Sequence, residues 1–92
     1  MKVDIQAKNI TVSEKLNTLI HKKVDKLKNF HSHILGISIY LNNDGIKSKE
    51  VQIKISVKNQ TLFCKEKAES FEQALELSVD SIKRQLKKYK QK

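Results

Sequence analysis

Lys83, Arg84, Lys87, Lys88, Lys90 and Lys92 place six cations in the last ten residues, with no carboxylate among them. Cations at that density suit one kind of chemistry, the holding of closely spaced anions by charge-assisted hydrogen bonds. Arg84 is the most specific of the set, because its planar fork grips a phosphate or a guanine edge bidentately. The run also continues an apolar repeat, Phe71, Ala74, Leu75, Val79, Ile82, Leu86 and Tyr89, at helical spacing. The cations are therefore carried on a folded helix, as a rigid comb. Its natural partner is a polyanion of fixed shape, and RNA is the commonest in a cell. In an earlier helix, Lys15, Lys22 and Lys26 fall within about 40° of one another on the polar side. Cations near a helix C-terminus complement the macrodipole for about 0.3–1 kcal/mol each, which does not account for six that repel one another.

Other residue types that could support chemistry are poorly placed for it. His31 and His33 flank Ser32 in a helix-to-strand loop, with no carboxylate or thiol at ligand spacing, so no metal is expected. His21 sits among lysines on a helix surface, and Cys64 has the phase of a core strand residue. Two glycines, Gly36 and Gly45, leave no glycine-rich phosphate loop. Tyr40 and Phe63 are expected to pack rather than to form a stacking platform for bases. The residues point to a binding protein, not an enzyme, with no cofactor and no small-molecule substrate.

Composition agrees. Nineteen Lys and Arg against ten Asp and Glu give 92 residues a net charge of +9, beyond what solubility needs. A single cysteine excludes an internal disulfide and suits a reducing setting. The N-terminus lacks a signal-type apolar block, and no run approaches the roughly 20 apolar residues of a membrane span. A soluble, cytoplasmic protein is expected, folded as a single domain over residues 1–92. A basic amphipathic helix also suits an anionic lipid surface, but Leu75, Val79, Ile82 and Leu86 are needed to cover a sheet, so no membrane partner is expected.

The elements that must position these cations follow from periodicity. Val3, Ile5 and Ala7 alternate with polar neighbours in a strand over about 2–8. Thr11 to Glu14 is a capping-box pattern with Ser13 as a competing cap; it opens a helix over about 12–29 with Leu16, Leu19, Ile20, Val24, Leu27 and Phe30 on one stripe. Leu35, Ile37, Ile39 and Leu41 define a strand over about 34–42, followed by a turn at Asn42 to Gly45. Val51, Ile53, Ile55 and Val57 define another over about 50–58, and a fourth spans about 61–68. A turn at Asn59 and Gln60 sets Val57 opposite Leu62 and Ile55 opposite Cys64, and it puts Glu66 on the core side, where a bulge or frayed end is expected. Ser70 to Gln73 is a second capping box, opening a helix over about 70–89. The order β-α-β-β-β-α predicts an α+β two-layer sandwich, with two helices on one face of a four-stranded sheet.

Together these residues resemble the short ribosome hibernation-promoting factor / ribosome-associated inhibitor family over essentially the whole chain. The resemblance is carried by residues 8–13 leading into the first helix, by Val24, Asp25, Lys26 and Leu27, and by the stretch from Arg84 to Lys90. It implies a fold like a double-stranded-RNA-binding domain with an extra N-terminal strand. It also implies a stress-phase, non-catalytic ribosome-binding domain that occupies the decoding channel of the small subunit, contacts rRNA and competes with mRNA and tRNA. Lys23 and Lys26 match the family's basic positions in the first helix, and Arg84, Lys88 and Lys90 its basic C-terminal stretch. With Lys22 and Lys87 added from the charge pattern, the expected rRNA contacts are Lys22, Lys23, Lys26, Arg84, Lys87, Lys88 and Lys90.

The chain departs from the family pattern at three positions. Ser81 stands where the family usually has lysine, Lys83 where it usually has glutamate, and Glu72 where tyrosine is frequent. The chain is expected to lack the long form's C-terminal dimerisation domain and the inhibitor's acidic tail, and a monomer is expected off the ribosome. The rival reading is a free double-stranded-RNA-binding module, which the same fold and charge would serve.

Overall fold

Strand β1 (Lys2–Lys8), helix α1 (Glu14–Phe30), strands β2 (Ile34–Asn43), β3 (Lys49–Val57) and β4 (Gln60–Ala68), and helix α2 (Phe71–Lys90) follow one another along the chain. The structure, a computed structural model, describes residues 2–30, 33–45 and 48–90. The strands form one sheet in the order β1-β2-β3-β4. β1 runs parallel to β2, a pairing that demands a crossover and obtains it from α1; the other two pairings are antiparallel.

Local chemistry sets the helix starts. Asn9 adopts the left-handed conformation (φ 61°) between β1 and α1. Ser13, not Thr11, caps α1: its Oγ accepts from the Leu16 N–H at 3.1 Å, and its carbonyl accepts from Asn17 at 2.9 Å. Ser70 does the same for α2, its Oγ accepting from Gln73 at 3.1 Å and its carbonyl from Ala74 at 3.0 Å. Each cap satisfies N–H groups that no preceding helical turn can reach.

Both helices lie on one face of the sheet and share its core. Leu16, Ile20, Val24 and Leu27 of α1, and Leu75, Val79, Ile82 and Leu86 of α2, are buried with Ile37, Ile39, Leu41, Val51, Ile53, Ile55 and Val57. Full burial of such a side chain contributes about 1.5–3 kcal/mol, so this face dominates stability. Cys64 lies in this layer as a free thiol donating to the Ser78 carbonyl at 3.2 Å, and burial pushes its pKa up. Ser78, fully buried, sets its hydroxyl 2.8 Å from the Ala74 carbonyl and 3.3 Å from that of Val51.

The β3–β4 hairpin differs from the expected register by two residues. Val57 pairs with Gln60, Ile55 with Leu62 and Ile53 with Cys64, so the turn is Lys58 and Asn59. Asn59 takes the positive φ (67°) that a tight hairpin requires. Glu66 faces the core side opposite Val51, but the ladder runs through it without a bulge; the irregularity lies in β2, between Ile34 and Gly36. Edge position lets the half-buried Glu66 keep its carboxylate hydrated.

One acid is buried on the other, solvent-facing side of the sheet. Glu50 is 5% exposed; it accepts from Lys65 Nζ at 3.1 Å and from Asn42 Nδ2 at 3.4 Å. Burial pushes its pKa up, but those two hydrogen bonds and the charges of Lys65 and Lys67 outweigh that effect and hold it below the ordinary carboxylate value. The lowered value means that Glu50 stabilises the fold above its unfolded-state pKa, and that this contribution disappears as pH falls through the folded-state value. Glu50→Gln should cost about 1–3 kcal/mol at neutral pH by urea unfolding. The gap to wild type should close on acidification; a gap independent of pH would refute this origin.

Candidate nucleic-acid interface

The antiparallel steps from β2 to β4 bring α2 back in the same direction as α1, so the two helices lie side by side with their N-termini at one end. Their registration is marked by one ion pair, Lys23 Nζ to Glu76 Oε2 at 2.9 Å. Seven residues of α1 follow Lys23, whereas fourteen of α2 follow Glu76. At about 1.5 Å per residue, α2 therefore overshoots α1 by roughly 10 Å. The overshoot carries the basic comb.

The cations of α2 divide between two stripes. Glu72, Glu76, Lys83 and Lys87 lie within about 60° of one another, on the side turned to α1. Arg84 and Lys88 lie within about 40° on the outer side, behind Leu77, which is 43% exposed. In α1, Lys15 and Lys22 line an open cleft whose opposite wall includes Glu72, and Lys26 continues their stripe. Lys22, Lys26, Arg84, Lys87 and Lys88 are exposed, and none has an ion-pair partner among the described residues. They are free to meet an external anion from the cleft, the overshoot and the outer face.

Three positions need separate comment, two of them among the expected contacts. Lys23 is not an open contact: its side chain is 12% exposed and committed to Glu76, whose own side chain is 59% exposed. Hydrogen bonding and charge from Lys23, with weaker contributions from Lys26 and Lys83, hold the Glu76 carboxyl below its ordinary pKa. Lys90 closes α2, and its side chain lies outside the described residues, as do Lys92 and His31. Lys83 is half-buried on the cleft side and belongs to the site, although the expected contacts did not include it. Its position one turn before Lys87 was a usable signal, but only the packing of α1 against α2 reveals what it faces.

The far side of the sheet is different in character. Phe63, expected to pack, is 49% exposed there, and Tyr40 is half-buried. Lys65 and Lys67 on that face are already paired, with Glu50 and Asp44. The end of α2 is anchored back to β4 and its turn, Gln85 Nε2 donating to the Phe63 carbonyl at 2.8 Å and the Tyr89 hydroxyl to that of Lys58 at 3.0 Å. No helix among the described residues is long and apolar enough to cross a membrane.

Comparison with known proteins converges on one family. A family model described as Sigma 54 modulation protein / S30EA ribosomal protein matches residues 3–92. The chain is 30% identical over 97 residues to the ribosome hibernation promotion factor of Picosynechococcus sp., covering 100% of this chain and 50% of the relative. It is 23% identical over 94 residues to the ribosome hibernation promotion factor of Bacillus subtilis, with the same coverage of 100% and 50%. The chain thus spans about half the length of the curated relatives it matches. In fold it is similar to a ribosomal subunit interface protein from Coxiella burnetii, with TM-score 0.92, 21% identity and 100% of both chains covered. The crystal structure of the Thermus thermophilus Protein Y N-terminal domain aligns with TM-score 0.85 at 17% identity, over 97% of this chain and 99% of that one.

Proposed function

Because the chain belongs to the Sigma 54 modulation protein / S30EA ribosomal protein family, we propose that it is a ribosome hibernation factor whose two basic helices bind rRNA in the decoding channel of the small subunit. The observation that carries this reading is the set of cations on α1 and on the overshooting end of α2 that are exposed and unpaired among the described residues. Lys22, Lys26, Arg84, Lys87, Lys88 and Lys90 supply phosphate contacts, and Lys83 joins them from the cleft side. Phosphate contacts fix position and orientation without reading sequence, which suits a protein that must seat on a rigid RNA surface.

Inhibition is steric. A body 40 Å long and about 20 Å across, lodged in the channel, occupies the path of mRNA and the anticodon ends of tRNA, and no bond is made or broken. The protein acts in the cytoplasm under stress or in stationary phase, when idle ribosomes are protected by being filled.

Sedimentation tests the proposal directly. Purified protein should co-pellet with vacant small subunits through a sucrose cushion at about 100 mM salt, and saturating mRNA and tRNA should release it. Retention in the presence of both ligands would move the binding site elsewhere on the ribosome. A protein that stays in the supernatant, yet binds an isolated duplex of about 16 base pairs, would be a free duplex-binding module instead.

A further inference from the structure

The geometry points to a phosphate seat between α1 and α2, built from Lys23, Lys26 and Lys83, in which Glu76 is a resident counter-ion that an RNA phosphodiester displaces. Three observations combine. The Glu76 carboxylate lies 2.9 Å from Lys23 Nζ, its one ion-pair contact among the described residues, and the more distant charges of Lys26 and Lys83 act on it more weakly, so cations from both helices share one anion. The two partners differ sharply in exposure, 12% for Lys23 against 59% for Glu76, so the carboxylate can swing into water while the ammonium cannot. The seat also lies on the cleft stripe that leads to Lys87 and the overshoot, where the proposed RNA path runs.

The exchange has a clear electrostatic logic. A half-buried lysine left without an anion is costly, so the free protein carries its own. An incoming phosphodiester brings one negative charge, restores the pairing at Lys23 and engages Lys26 and Lys83, which a single carboxylate oxygen pair serves poorly. Displacing Glu76 costs the ion pair, so isolated or badly fitting phosphates gain little. A phosphate held at the seat by a rigid RNA surface, with neighbours on Lys87 and Lys22, gains all of its contacts. Glu76 thereby acts as a selectivity residue that suppresses loose binding to arbitrary RNA.

This inference rests on the RNA-binding reading above, and its test separates the two. Binding of wild type and Glu76→Gln to an isolated duplex of about 16 base pairs is measured from roughly 50 to 200 mM salt. Removing the resident anion should steepen the log–log salt slope by about 0.7–0.9, one further phosphate. It should also tighten binding roughly 5- to 10-fold near 100 mM. Adding Lys23→Met to Glu76→Gln should abolish the gain. An unchanged or shallower slope in a folded Glu76→Gln protein overturns the seat and leaves Glu76 a strut between helices.

Wild type gives a second readout should the variant fold poorly. On titration with the duplex, the NMR signals of the wild-type Glu76 carboxyl carbon and Lys23 ammonium should stay fixed, because the pair withstands a loosely fitting phosphate; if they move together, the duplex already displaces Glu76 and its role in selectivity is overturned. Small-subunit co-pelleting of the wild type is scored separately. Its absence beside a steeper variant slope would remove the ribosomal partner and keep the seat.

Discussion

Changing Arg84, Lys87 and Lys88 together to glutamate should lower affinity for vacant small subunits at least several-hundredfold near 100 mM salt. Each phosphate contact carries about 0.7–0.9 of the log–log salt slope, so losing three lowers the slope by roughly 2–3. The three new carboxylates then repel the same phosphates, which makes contact loss alone a lower bound. All three side chains are exposed and unpaired among the described residues, so the fold's stake in them is limited to the macrodipole at the end of α2, where Lys87 and Lys88 lie in the last turn. Thermal melting should therefore show a loss of no more than about 1–3 kcal/mol, and the variant should remain folded at the temperature of the binding assay. Salt-dependent co-pelleting is the measurement. Binding at ordinary strength by a folded triple variant would remove the overshoot of α2 from the interface.

Ile53→Ala should have the largest effect on stability. Ile53 is fully buried in the central strand β3, between Ile39 of β2 and Cys64 of β4 in the ladder, in the strand pair that α2 covers. Deleting three carbons there loses transfer energy and leaves a void that the flanking strands cannot close, for about 2–5 kcal/mol. Against a total of about 5–15 kcal/mol, that is a substantial share of the whole. At roughly 4–8 °C per kcal/mol, a central loss of about 3 kcal/mol lowers Tm by about 12–24 °C, readable by calorimetry. Phe63→Ala removes a larger side chain, yet it should cost well under half as much, because the ring is already 49% exposed. If the two variants melted alike, the assignment of the sheet's faces would be wrong.

The faces of the sheet were legible in the sequence except at the start of β2, and the register was not. There Leu35 was expected in the core but is 62% exposed, and Ile34 is buried instead, because the irregularity between Ile34 and Gly36 shifts the phase. Val51, Ile53, Ile55 and Val57 alternate so strictly that their burial follows from period two alone. A two-residue slip of the hairpin preserves that alternation, so turns at 59–60 and at 58–59 predict the same buried set. The choice is made by Asn59, whose tolerance of positive φ suits the second turn position. Glu66 looked like a conflict needing a bulge, because pattern alone gives no measure of how far an edge residue can lean into water. The caps were plain at Ser70 and ambiguous between Thr11 and Ser13, where hydrogen bonding to Leu16 decides.

The site was half legible for a related reason. A helical wheel shows that Arg84 and Lys88 share a face, since that depends on one helix. Whether Lys23 is open or paired depends on which residue of α2 lies beside it, and that residue is 53 positions away. The same distance hid Lys83.

The parallel helices also make the molecule a vector. Glu14 and Glu72 occupy the shared N-terminal end, while Lys87 and Lys88 stand near the other end of a body 40 Å long. In the field of a polyanion such a rod experiences a torque as well as a pull, and it turns its cationic end forward before any contact forms. Diffusional encounters are then pre-aligned over about a Debye length, roughly 10 Å at 0.1 M salt. On the proposed reading, the overshoot of α2 is the prow, the part that would enter a narrow passage first and draw the rest of the domain in behind it.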